Sequence, residues 1–390
     1  MRRARRLLLP GALMLAVGLG LTATAMPTLS ADCGCWRYVR LNTPGTPAVS
    51  TAETTLSDVA APSYQVAWAV GSRGSEPLLA RWTGVGWRET ELPVPADTLI
   101  EGISAASPRD AWTIGYGPGG VPRAAHWDGD GWQPVMVPGQ APAFPRGIDA
   151  RTSGDAWIVG SAGSGITQAT TWHWDGLIWR QVVIPDGPGT ASTLAAVSAL
   201  APDDVWAVGG RGSFPARQLL LHWDGQGWTP YTAPDLAGEA MLSDVVALGH
   251  DDVWAVGSTT VPPGTGSAAG PVTDRPLAEH WDGLSWREVP LPEARGRLYG
   301  VTGDGHGGVW AAGERPDGRG FFARWDGRNW ELSTAPVPGP AGTAAPASGV
   351  WSLTRIAATD YLWAVGAYES LNGRLPARRA VTWTNSPRPR

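Results

Sequence analysis

One short spacing constrains this chain more than anything else in it. Two tryptophans stand five residues apart six times over, at 82/87, 127/132, 174/179, 223/228, 281/286 and 325/330, and the spacing never varies. Four of the pairs belong to a full phrase H-W-D-G-x-x-W, from His126, His173, His222 and His280; the phrase is altered from Arg81 and Arg324. Ahead of each pair lies a second phrase, W-A-V-G, read whole from Trp68, Trp206, Trp254 and Trp363 and in variant form at Trp112, Trp157 and Trp310. The steps between these seven tryptophans are 44, 45, 49, 48, 56 and 53 residues. A rigid spacing inside a loosely periodic unit is the mark of one supersecondary element repeated along the chain. Unrelated domains placed in series do not produce it.

Each unit has a third element. An apolar residue lies 12 before the W-A-V-G tryptophan at Leu56, Ile100, Leu194, Leu242, Leu298 and Trp351, with Pro145 as the exception. A β-branched residue lies nine before it at Val59, Ile103, Ile148, Val197, Val245, Val301 and Thr354. The unit therefore reads as four short strands: a (Leu-x-x-Val), b (W-A-V-G), c (ending in H-W) and d (opening at the last Trp). Asp-Gly supplies the c–d hairpin turn. Four strands per unit, seven units in a row and no helical periodicity predict an all-β, seven-bladed β-propeller of four-stranded antiparallel blades. The seventh unit ends at Val381-Thr382-Trp383-Thr384 without a strand d, while Trp36-Arg37-Tyr38-Val39-Arg40-Leu41 matches the strand d that opens at Trp286. Residues 36–42 are thus expected to supply the outer strand of the last blade, closing the ring and covering an edge. Three tryptophans in each of seven blades account for 21 of the 23, leaving Trp172 and Trp351.

The ends carry other information. Arg2, Arg3, Arg5 and Arg6 precede an apolar run to Leu21 and an Ala23-Thr24-Ala25 cleavage pattern, so residues 1–25 are expected to be an export signal, by the general or the twin-arginine route. An uncleaved anchor is the other reading of that run. Residues 26–35 read as a short tether holding the two cysteines, Cys33 and Cys35; Asp32 breaks the pattern that lipidation of Cys33 requires. Residues 36–384 form the propeller and 385–390 a tail. The protein is expected to be extracytoplasmic, secreted or held at the cell surface, and monomeric. A net charge of −5, with no basic cluster beyond the first six residues, argues against nucleic acid as partner.

Recurrence itself is informative about chemistry. His126, His173, His222 and His280 hold one equivalent position in four blades, too far apart around a ring to share an ion, so no metal is expected. The Asp of W-D-G (Asp128, Asp175, Asp224, Asp282, Asp326) and the Asp before strand b (Asp110, Asp155, Asp204, Asp252) are both expected to accept turn N–H groups. The sequence Val205-Trp206-Ala207-Val208-Gly209-Gly210 through Trp223 to Trp228 resembles the kelch repeat, and D-G-x-x-W resembles the Asp-box of sialidases with one residue fewer between Asp and Gly. Both resemblances imply a propeller. Kelch-type copper oxidases use a Cys–Tyr crosslink with Tyr and His ligands. Here the cysteines lie at the N-terminal edge, and the two histidines outside the repeat, His250 and His306, fall in a–b turns. No cofactor is expected.

Function must then sit where the units differ. The a–b and c–d connections are uniform, whereas the b–c and d–a connections vary and share the opposite face. Three insertions gather there: Ser258 to Pro276, Pro336 to Gly349 and Tyr368 to Arg378. Gathered insertions mark a binding face. On that face, at the start of strand a near the central channel, the position 11 before the b tryptophan carries dissimilar residues (Ser57, Glu101, Arg146, Ala195, Ser243, Tyr299 and Ser352), and the next position adds Asp58 and Asp244. Asp58, Glu101, Arg146, Asp244 and Tyr299 are the candidate binding residues of this channel mouth. No G-x-S-x-G, P-loop or metal cluster occurs. The sequence is thus read as a non-catalytic scaffold for a protein or cell-envelope component. A glycan-binding lectin is the alternative, and a sialidase-like glycoside hydrolase a second one.

Overall fold

In the computed structural model, the described residues are 36–42, 52–139, 141–185, 190–212, 216–236, 238–261, 273–293, 295–338, 347–370 and 377–387. The expected signal and tether, with Cys33 and Cys35, and the end of the tail lie outside them, as do 262–272, 339–346 and 371–376 within the three insertions.

Every element among the described residues is a β-strand. Strands a of blades 1 to 7 are Thr54–Ala60, Leu99–Ser107, Ala143–Thr152, Ser192–Ala201, Ala240–Gly249, Arg297–Gly303 and Ser348–Arg355. Each is followed by an antiparallel b and c, and in six blades by a d, so that seven sheets form a seven-bladed β-propeller. Successive strands a pack against one another, and that of blade 7 meets that of blade 1. Strand d of blade 7 is Arg37–Val39, paired antiparallel with Ala377–Thr384, so the N-terminal strand closes the ring. Beyond it the chain crosses over, and Leu41–Asn42 lies parallel to strand d of blade 1 as a fifth strand. One short segment thus grips both sides of the closure.

The tryptophans work between blades. In six blades the b indole meets the c and d tryptophans of the next, for example Trp68 with Trp127 and Trp132, Trp112 with Trp174 and Trp179, and Trp157 with Trp223 and Trp228, these three at 4.9–5.2 Å between ring centroids, whereas Trp310 of blade 6 meets Trp36 alone. Trp363 of blade 7 meets Trp82 and Trp87 of blade 1 at 4.9 and 5.1 Å. The b tryptophans are at most 7% exposed. At about 25 cal/mol per Å², burying an indole of roughly 200 Å² is worth of order 5 kcal/mol. The strand b phrase is apolar throughout because both of its faces are covered by other strands.

The final glycine of W-A-V-G has a steric cause. In every blade strand a bulges by one residue opposite it, as between Leu56 and Asp58 or Ile100 and Gly102. The bulge drives the strand a backbone onto the glycine: a Cβ at Gly71, Gly115, Gly160, Gly209, Gly257, Gly313 or Gly366 would overlap a strand a carbonyl oxygen.

Blade 7 differs from the expected register in two ways. Strand a pairs Val350 with Gly366 and bulges at Trp351, because the a–b turn holds one more residue, with Ala358 at φ 60°. Val350, not Trp351, is the buried apolar residue, and Leu353 takes the place assigned to Thr354. In strand c, Thr384 faces Trp363, which puts Trp383 two residues before the place of the c tryptophan; Asn385 stands there instead. Trp383 corresponds to Trp172, which faces Ile158 in blade 3. Both indoles donate to a proline carbonyl that follows the preceding blade's strand d, Trp172 to Pro138 at 2.7 Å and Trp383 to Pro336 at 2.6 Å. The 21-tryptophan count is therefore one too many: Trp172 pairs in role with Trp383, and Trp351 is a bulge residue.

Candidate functional site

The bulges decide what faces the centre of the ring. A bulge turns two consecutive side chains of strand a to the same side, so each blade presents its bulge residue and the one after it to the channel. The seven bulge residues are Ser57, Glu101, Arg146, Ala195, Ser243, Tyr299 and Trp351. All of them line one central cavity of about 350 Å³ bounded by strand a of every blade. All five residues singled out from the sequence, Asp58, Glu101, Arg146, Asp244 and Tyr299, lie on its wall; Trp351 replaces Ser352 as blade 7's bulge residue, and Asp149 joins them.

The mouth is two-sided. Glu101 and Arg146, from blades 2 and 3, approach to 3.7 Å. Burial pushes the Glu101 carboxyl up from its ordinary value, while Arg146 and a hydrogen bond from Tyr116 hold it down in part. Blades 6 and 7 contribute Tyr299 and Trp351, the latter hydrogen-bonded to Glu314. Burial raises the Tyr299 phenol, and Glu314 adds to that rise. Blades 1, 4 and 5 offer only Ser57, Ala195 and Ser243, which leave space.

Asp58 and Asp244 have a second occupation. Asp58 Oδ1 accepts from its neighbour Val59 N at 2.8 Å and from Ser352 Oγ of blade 7 at 2.7 Å, while Oδ2 accepts from Ile103 N of blade 2 at 2.8 Å. Asp244 accepts from Val245 N and from Val301 N of blade 6, both at 2.8 Å. Two residues further along the strand, Asp149 accepts Ala199 N of blade 4 at 2.8 Å, Ser104 Oγ accepts Ala150 N at 2.9 Å and Ser198 Oγ accepts Ala247 N at 3.0 Å. These side chains tie neighbouring strands a together. Asp149, Ser104 and Ser198 escaped the sequence reading, although they share one column, eight before the b tryptophan, where blade 1 has Ala60.

The histidines and the acids of the a–b turns serve structure. The imidazoles of His126, His173, His222 and His280 lie over their own b indole at 4.2–4.6 Å. Each Nε2–H donates to Asp110, Asp155, Asp204 or Asp252 at 2.9 Å. Those four aspartates thus orient an imidazole, which corrects their expected role as turn acceptors. The W-D-G aspartates do cap the turn: Asp175 accepts Leu177 N and Ile178 N at 3.0 Å. Where arginine replaces histidine the stacking persists, with Arg81 5.0 Å from the Trp68 ring centre and Arg324 5.9 Å from that of Trp310. His250 and His306 pair with Asp204 and Asp360. Among the described residues no group of three or more His, Cys, Asp or Glu is placed to hold a metal ion.

Two of the insertions begin as strand. In blade 5 the b–c hairpin continues to the pair Val261–Thr273, and in blade 7 to Ser370–Ala377. Both stand at the b–c end of their blades, where strands a begin, and Asp274 of the first pairs with Arg297, two residues before Tyr299.

No known family model matches the sequence, and no curated protein matches it. Among solved structures the chain is similar to YCF48 bound to D1 peptide, with 15% identity over 90% of this chain and 94% of that one and a TM-score of 0.58. YCF48 from Cyanidioschyzon merolae is 16% identical over 89% and 98%, with a TM-score of 0.56. A PL25 ulvan lyase bound to a sulfated glucuronate–rhamnose saccharide is 9% identical over 88% and 95%, with a TM-score of 0.51. At such identities the shared property is the propeller fold.

Proposed function

We propose that this chain is an exported, non-catalytic propeller that holds a segment of a protein partner at the channel mouth, on the face carrying the insertions. One observation carries the reading. The repeat keeps every other face uniform, yet at the bulge it supplies seven side chains of which four are Glu101, Arg146, Tyr299 and Trp351, all on one cavity wall. An ion pair facing two aromatic rings suits a peptide, whose backbone and mixed side chains need polar and apolar contacts together. The likeness to a propeller bound to a peptide supports the same reading. Export rests on the residue 1–25 pattern.

Turnover is less well supported. Hydrolysis of a glycoside needs two carboxyl groups free to exchange protons with substrate. Here both oxygens of Asp58 and Asp244 are engaged by backbone N–H groups, and Glu101 lies beside Arg146.

The test compares the wild-type chain with the double variant Tyr299→Ala/Trp351→Ala, each tagged and recovered from the exporting cell, together with a glycan array on the purified chain. A protein retained by the wild type and lost by the variant, with a silent array, is the expected result. Binding to the array at several equivalent sites, or the same proteins retained by both chains, would overturn the reading.

A further inference from the structure

We propose that Asp274 and Arg378, in the stems of the blade 5 and blade 7 insertion hairpins, are positioning residues for the channel mouth. Through Arg297 and Glu314 they form one row of alternating charge that fixes the Tyr299 and Trp351 side chains for the partner. That role rests on the reading of the mouth as the binding site.

The row starts from the register of blade 6. Arg297, at the start of strand a, faces Glu314 at the end of strand b (Val309–Glu314). Opposite charges facing across two strands attract one another. In the other six blades the pair at this register carries no charge, as in Thr55–Ser72 and Met241–Ser258. Blade 6 alone places a cation and an anion there.

Both ends of the row stand on insertions. Arg297 donates from Nε and Nη2 to Asp274 Oδ2 at 2.6 and 2.5 Å. Asp274 belongs to strand c of blade 5 (Thr273–Trp281), in the stem of that hairpin. Burial pushes the Glu314 carboxyl up, while Arg378 and then Arg297 draw it down. Arg378 belongs to strand c of blade 7 (Ala377–Thr384), in the stem of the other hairpin. Asp274, Arg297, Glu314 and Arg378 thus alternate in sign from blade 5 to blade 7.

The two middle members hold the rings. Arg297 hydrogen-bonds the Tyr299 hydroxyl, and the Trp351 indole N–H donates to Glu314. Gly349 leaves room for the second bond, since a Cβ there would overlap the indole nitrogen and crowd Glu314 Oε2. Each aromatic side chain at the mouth is therefore tied to a charged group whose other partner stands on an insertion. A ring already held in its bound rotamer spares the partner the cost of ordering it, worth roughly two- to tenfold in affinity per ring.

The experiment labels the full chain with fluorotyrosine and isotopic indole nitrogen. It follows the Tyr299 fluorine signal and the Trp351 indole N–H peak, each assigned by its loss in Tyr299→Phe or Trp351→Phe. Asp274→Asn is expected to shift the Tyr299 signal and Asp274→Glu to restore it, while Arg378→Gln shifts the Trp351 peak. Glu288→Gln breaks the 2.5 Å pair with Arg275, on the same blade 5 stem but outside the row, and should move neither signal. Partner retained by tagged Asp274→Asn should fall roughly two- to tenfold at an unchanged melting temperature, and return in Asp274→Glu. If Tyr299 ignores Asp274→Asn or follows Glu288→Gln equally, if Trp351 ignores Arg378→Gln, or if retention stays level despite a shifted signal, the proposal fails while the mouth reading stands. If the wild type retains no protein, the mouth reading fails, and the two signals still decide whether the row holds the rings. Should Asp274→Asn not fold, Arg297→Lys, which keeps the charge and loses the fork, takes its place; an unmoved Tyr299 signal there would equally overturn the proposal.

Discussion

Removing the indole of Trp36 tests how the ring is closed. Trp36 immediately precedes the N-terminal strand, is 9% exposed, stacks on Phe322 of blade 6 at 3.7 Å with an interplanar angle of 5°, and meets Trp310 edge-on at 5.5 Å. It is therefore the d tryptophan of blade 7, carried by a segment more than 300 residues away in sequence from the strand it pairs with. A buried Trp→Ala change costs about 3–5 kcal/mol, since the cavity left behind is not refilled. For Trp36→Ala we expect a loss of about 4 kcal/mol, read as a lower denaturant midpoint, and a fall in melting temperature of about 8 °C at roughly 2 °C per kcal/mol for a large domain. Tyr38, on the N-terminal strand itself but 36% exposed, is the internal control; Tyr38→Ala should cost no more than about 0.5 kcal/mol. If Trp36→Ala were as stable as Tyr38→Ala, the closure would be ornamental and the ring would be held by its other six seams.

Three further outcomes follow from the repeat. Gly257→Ala forces a Cβ onto the Met241 carbonyl oxygen and should cost about 3 kcal/mol or prevent folding, whereas Gly227→Ala, with nothing within 4 Å of its Cβ, should be near neutral; equal denaturation curves would refute the steric account of W-A-V-G. His280→Ala should lose about 1–2 kcal/mol with the Asp252 bond and the Trp254 stacking, but His280→Arg should come within about 0.5 kcal/mol of wild type, as Arg81 and Arg324 already hold that place; denaturant midpoints decide. Asp175 is held down to about 2, chiefly by the N–H of Ile178, then by Arg180 and Leu177. Its contribution is therefore present above the ordinary aspartate range and lost as pH falls towards 2, so the melting temperatures of wild type and Asp175→Asn should converge between pH 5 and pH 2.

The blades were legible because a five-residue tryptophan spacing can only be kept by a fixed c–d hairpin, and because each bulge demands a glycine opposite it. The mouth residues were legible for the opposite reason: two adjacent positions of strand a, 11 and 10 before the b tryptophan, varied where the apolar positions around them did not. What escaped was register. Blade 7 has an extra residue in its a–b turn, at Ala358, and an indole at Trp383 that fills the space beside Pro336 from two residues away. Counting tryptophans cannot separate those placements, since the same side chain satisfies either. The ties between neighbouring strands a escaped because Asp149, Ser104 and Ser198 act across blades, on amides some 46 to 50 residues away.

The most direct measurement is a contact map of the partner taken from the chain itself. A photoreactive amino acid placed at Tyr299 or Glu101 samples the channel mouth, and one at Leu177 or Leu284, 80% and 85% exposed in the c–d turns, samples the opposite face. Irradiation in the cell that makes the protein should yield one protein adduct from both mouth positions and none from the turns. Adducts from Leu177 or Leu284 alone would place the interaction on the uniform face and contradict the assignment of the mouth.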